Sequence, residues 1–126
     1  MANYTQDNYT FRYDSTSDFS STNAHRSVFT KLRTTPTKLL DMTVSVTTSG
    51  LTIDLDTFST ITSLIIENQD TASEVTAAFT DTATANVLTI PVSDYIKLAS
   101  VGTIANDLLL DAVTSTAVCR VIVTGT

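Results

Sequence analysis

The sequence predicts an all-β fold: an antiparallel β-sandwich, jelly-roll-like, over residues 39–126, preceded by an extended N-terminal arm over residues 1–38. Three observations carry this. Threonine fills 26 of the 126 positions while glycine fills 3, a composition that favours strands over helices. Several runs alternate apolar and polar residues with the period of two expected of a strand with one face on a core. Polar loops separate these runs into about seven or eight strands without any long helix, the spacing of a sandwich or jelly roll rather than of a parallel α/β sheet.

Residues 1–38 hold too few aliphatic side chains to build a core alone. Tyr9, Phe11 and Tyr13 alternate with Thr10 and Arg12 and predict a short strand whose aromatic side needs a surface to cover. Asp14 to Asn23 reads as a loop. Val28, Phe29 and Leu32 form a second apolar cluster, compatible with one helical turn or a bent strand. Thr34-Thr35-Pro36 marks the boundary, because proline and the residue before it disfavour helix.

Leu40, Met42, Val44 and Val46 alternate with Asp41, Thr43, Ser45 and Thr47, so Leu40–Thr47 reads as a strand with one buried and one wet face. Thr48-Ser49-Gly50 supplies a turn, and Leu51, Ile53 and Leu55 continue the alternation, which predicts a hairpin. Thr60–Asn68 has apolar residues on both sides, with Leu64 and Ile66 facing one way and Ile61 and Ile65 the other; this predicts a central strand. The polar run Asn68–Ser73 favours a turn, hence a hairpin-like connection or a Greek-key excursion to the strand carrying Val75, Ala77 and Phe79.

Asp81–Asn86 reads as a loop. Val87–Val92 is predicted as a strand with Leu88, Ile90 and Val92 on one face, placed at an edge or ended by Pro91. Ser93-Asp94 is compatible with a capped helical turn over Tyr95, Ile96 and Leu98 or with a short strand. Asn106–Val113 is similarly open, its valine and short length favouring strand. Val118–Thr124 is the closing strand.

Charge narrows the partners. The net charge is −6, yet residues 1–38 hold Arg12, Arg26, Lys31, Arg33 and Lys38 against Asp7, Asp14 and Asp18, so the acidity lies in the remainder. An acidic body argues against binding nucleic acid, whose affinity rests on neutralising phosphates. The sequence has no basic and apolar N-terminal signal and no apolar run near the roughly 20 residues of a membrane span, which predicts a protein made in the cytoplasm without a membrane partner. A basic arm beside an acidic body suits packing of the arm on its own or a neighbouring subunit.

The candidate chemistry is sparse, and the sequence predicts no enzyme and no cofactor. Asp54 and Asp56 share one strand face and form a carboxylate pair suited to Ca²⁺ or acid–base work, but a D-x-D-x-D-G run is missing and a solvated face explains them. The single histidine, His25, does not supply a zinc shell. Cys119, the only cysteine, alternates with Val121 and Val123 as a small buried residue and permits no internal disulfide. The arm residues Tyr4, Tyr9, Phe11, Tyr13, Phe29 and Arg33 are the candidate partner-binding set: aromatic groups dominate interfaces, although they also suit stacking on a sugar or base.

From Ser63 onward, the succession SLIIENQD, EVTAAF, NVLTIPVSDYIKL, DLLLDAV and VCRVIVTGT resembles small β-sandwich modules of phage virion proteins, especially capsid decoration or cement proteins and tail-fibre segments. The resemblance covers about the last half of the chain and includes no catalytic or metal motif. It implies a virion protein, homo-oligomeric and by preference trimeric, that clamps neighbouring major capsid subunits.

Overall fold

A computed structural model describes residues 5–13, 25–33, 38–79, 87–102 and 107–126. Within them the protein is all-β, with ten strands rather than seven or eight, and every strand pairing is antiparallel. The chain divides into two units, Met1–Pro36 and Thr37–Thr126.

The first unit contains β1 (Thr5–Tyr13) and β2 (His25–Arg33), joined in an unbroken nine-residue ladder that opposes Tyr9 to Phe29 and Tyr13 to His25. Val28, Phe29 and Leu32 therefore lie on a strand, not a helical turn. The loop expected over Asp14–Asn23 falls outside the described residues.

The second unit holds eight strands: β3 (Lys38–Val46), β4 (Leu51–Ile53), β5 (Ile61–Asn68), β6 (Val75–Ala78), β7 (Leu88–Ile90), β8 (Tyr95–Gly102), β9 (Leu108–Ala112) and β10 (Ala117–Gly125). They form two four-stranded sheets, ordered β3-β10-β5-β8 and β4-β9-β6-β7. The pairs β3–β10, β4–β9, β5–β8 and β6–β7 are nested around the β6–β7 connection. Two further ladders, β10–β5 and β9–β6, close the folded ribbon into sheets.

This nesting corrects two expected hairpins. β3 and β4 do not pair with each other; the turn after β3 carries the chain from one sheet to the other, with Gly50 at φ +83 and its N–H donating to the Thr47 carbonyl at 3.1 Å. The Asn68–Ser73 connection likewise leaves β5 in one sheet and enters β6 in the other, so it is the excursion rather than the hairpin. Turn-forming residues specify that the chain reverses, not which strand it then meets.

One continuous core joins the inward rows of both sheets. Val46, Leu64, Ile66, Cys119, Val121 and Val123 come from the first sheet; Ile53, Val75, Ala77, Ile90, Leu108 and Leu110 come from the second. The alternation of Leu40, Met42, Val44 and Val46 is realised, although the first three are only half-buried because β3 is an edge strand. β5 is paired on both sides, as its double-sided apolar pattern required.

Ile61, expected opposite Leu64 and Ile66, packs with them in the core. The register supplies the reason: Ser63 opposes Thr124 while Ile61 opposes Gly125, so Thr62 is an extra residue and the side-chain alternation reverses across it. The expected strand Val87–Val92 shortens to β7, an edge strand that ends before Pro91; only Ile90 is buried, while Leu88 and Val92 are exposed. The open alternatives over Tyr95–Leu98 and Leu108–Ala112 both resolve as strand. The loop expected over Asp81–Asn86, and Asn106, fall outside the described residues.

Candidate interaction surfaces

The candidate partner-binding residues lie in the first unit. Tyr9, Phe11 and Tyr13 are on β1, and Phe29 and Arg33 on β2; Tyr4 falls outside the described residues. In an antiparallel ladder, opposed residues share a face and neighbours alternate. Tyr9 opposes Phe29, Phe11 opposes Ser27, Tyr13 opposes His25 and Thr5 opposes Arg33. All five therefore occupy positions on one face of the two-stranded sheet. Val28 and Leu32 occupy the other, so the cluster read from sequence is divided between faces.

In the second unit, the outer face of the first sheet carries its polar pairings. The Arg120 guanidinium on β10 donates to both carboxylate oxygens of Asp41 on β3, at 3.0 and 2.8 Å. That hydrogen bonding holds the Asp41 carboxyl below its ordinary value and raises the guanidinium further. Both side chains are about two-fifths exposed, so the pair orients the two strands more than it stabilises them.

Asp54 and Asp56 do not sit on a strand face, because β4 ends at Ile53. They belong to the turn after it, where the Asp54 carboxylate accepts the Asp56 N–H at 2.8 Å. Asp107, immediately before β9, accepts the Leu55 N–H at 3.1 Å, and carboxylate oxygens of the three residues lie within 4.8 Å of one another. Two of the three carboxylates are thus engaged in holding the turn. Calcium takes six to eight oxygen ligands, and the cluster is largely solvated.

Cys119 is fully buried between β3 and β5, and burial pushes its thiol up to about 11. It is protonated at neutral pH and fills space as an apolar residue, as its place in the alternation indicated.

Sequence reasoning missed the role of Asn68. Its inward position is fully buried, and its amide donates to the carbonyls of Ser73 at 2.9 Å, Ile90 at 3.3 Å and Pro91 at 3.1 Å, while its own oxygen accepts the Asp70 N–H at 3.1 Å. The buried Ser73 hydroxyl accepts from the N–H groups of Thr114 and Ser115. Asp70 accepts from the N–H groups of Ala72 and Ser73, which lowers its carboxyl from the ordinary value. Three crossovers between the sheets are fastened together here: β5 to β6, β7 to β8 and β9 to β10. The only signal in the sequence was an amide occupying an inward position of an apolar strand.

Searches against family models, curated proteins and solved structures found no match for this chain. Among the described residues, no helix is long and apolar enough to cross a membrane.

Proposed function

We propose that this chain is a non-enzymatic structural protein of a phage virion, assembled in the host cytoplasm. On this reading Thr37–Thr126 is an eight-stranded jelly-roll sandwich, and the protein decorates or cements the capsid as a homo-oligomer that bridges neighbouring major capsid subunits. The observation that supports it is the strand order: β3-β10-β5-β8 against β4-β9-β6-β7, one ribbon of nested pairs rolled over itself. Two Greek keys wound in that way are the jelly-roll arrangement, a form used by viral capsid domains as well as by lectins and cupins.

The N-terminal 38 residues make the inter-subunit contacts, through the face that carries Tyr9, Phe11, Tyr13, Phe29 and Arg33. A cement needs a segment that reaches a second subunit, and aromatic and arginine side chains are those that interfaces concentrate. Deleting Met1–Pro36, the whole of the first unit, leaves the second unit folded and weakens capsid binding; a truncated protein that binds capsids as well as the full chain refutes this role.

A second reading, a tail-associated module that binds glycan or another tail protein, is favoured by the same aromatic face, since tyrosine and phenylalanine positions aligned along a ribbon suit stacking on sugar rings. Binding on a glycan array that disappears in Tyr9→Ala and Tyr13→Ala selects it over the cement.

A further inference from the structure

The free edge of β3 is an unusually open one. Natural sheets blunt their edges with short strands, prolines, bulges or charges. β4 and β7, the edges of the second sheet, have three residues each. β8, the other edge of the first sheet, carries Lys97 and faces the register irregularity between Ile61 and Ser63. β3 is blunted less than these: it has nine residues in unbroken register with β10 and no proline or glycine, and its charges are Lys38 at its first position, whose ammonium donates to the Thr57 carbonyl, and Asp41. Arg120 neutralises Asp41 from the neighbouring strand. Among the described residues no strand pairs with its outer side.

The side-chain pattern specifies an occupant. Leu40, Met42 and Val44 point toward the core yet stay half-buried, and Leu39 is 68% exposed. For an antiparallel neighbour to keep apolar positions opposite apolar ones, the paired residue numbers must have an even sum. A second β3 centred on Met42 meets this condition at the inward positions Leu40, Met42 and Val44 and uses all nine residues, with Lys38 opposite Val46 at the two ends. Met42 then opposes Met42 on the two-fold axis, and Leu40 opposes Val44, Leu39 opposes Ser45 and Asp41 opposes Thr43, each of these three pairs repeated by the axis. No like charges are opposed. Centring the pair on Asp41 instead sets two carboxylates against each other.

We propose that β3 is a homodimerisation edge: two copies of this chain pair antiparallel about Met42 and continue the β3-β10-β5-β8 sheet across a two-fold axis. Such an interface is isologous and closes on itself, so it makes a dimer and not a fibre. The pairing rests on strand register and stands independently of the virion reading. It also departs from the trimer that the resemblance implies.

The test is sedimentation velocity of the full chain over a concentration series, with charges placed at Leu39 and Ser45, two exposed positions that oppose each other only between copies. Leu39→Lys with Ser45→Lys creates two like-charge pairs and raises the dimer dissociation constant about 2- to 30-fold. Leu39→Glu with Ser45→Lys turns both into attractive pairs and restores dimerisation. A wild-type chain that remains monomeric, a trimer indifferent to both variants, or two variants that behave alike overturns the proposal. Amide exchange on the unmutated protein is a check that needs no variant: β3 amides gain protection as concentration rises, and exchange independent of concentration overturns the pairing.

Discussion

Replacing Asn68 by alanine removes one side chain from the point where three crossovers meet. The amide is fully buried and donates to three carbonyls while accepting one N–H. Pro91 and Asp70 lie near enough to solvent for water to replace their lost partners, but Ser73 and Ile90 are fully buried. Two carbonyls thus lose a donor where water does not follow, at about 1–3 kcal/mol each. Asn68→Ala is therefore expected to cost about 2–6 kcal/mol, a large share of the roughly 5–15 kcal/mol that holds a domain of this size. Gln69→Ala is the control: the exposed Gln69 side chain donates to Glu67 across the surface at 3.0 Å, and its backbone bond to the Val118 carbonyl survives the substitution, so the loss stays within about 0.5 kcal/mol. Urea unfolding followed by far-UV circular dichroism suits a chain that lacks tryptophan. A loss below about 1 kcal/mol in Asn68→Ala, or equal losses in the two variants, refutes the assignment of Asn68 as the fastening residue.

Three further outcomes follow from the same geometry. A Cβ on Gly125 would lie 2.1 Å from the Thr60 carbonyl oxygen, which belongs to the backbone and does not yield, so Gly125→Ala lowers the urea midpoint sharply; an unchanged midpoint refutes the close approach. Cys119, buried and with its thiol raised to about 11, reacts with a thiol reagent only on unfolding, and prompt labelling of the native protein contradicts its burial. The Asp41 and Asp70 carboxyls are both lowered, so the stability they contribute is complete above the ordinary carboxylate value of 3.8 and is lost as pH falls through their lower folded values. Asp70→Asn flattens the acid limb of midpoint against pH, and an acid limb identical to wild type rules out that contribution.

The strands were legible wherever one face meets a core and the other meets water. Leu40–Val46 and Ala117–Val123 show this, because strict alternation records one-sided burial. What the sequence left hidden was set by pairing partners distant along the chain. The turn at Thr48–Gly50 has the same chemistry whether β3 and β4 pair or part into different sheets, and only the β3–β10 and β4–β9 ladders decide it. A single extra residue at Thr62 reversed the facing of Ile61 without leaving a composition signal. Asp107 reaches the turn of Asp54 and Asp56 by bonding Leu55 from 52 positions away, which no local pattern encodes. The aromatic face of the first unit was half visible: Tyr9, Phe11 and Tyr13 alternate along one strand, but the addition of Phe29 and Arg33 to that face depends on the β1–β2 register.

The measurement that bears most directly on the central claim is the mass of the purified protein by light scattering, alone and mixed with empty capsids that lack it. The cement reading predicts a discrete homo-oligomer that binds the capsids to saturation. A monomer indifferent to the capsids contradicts it.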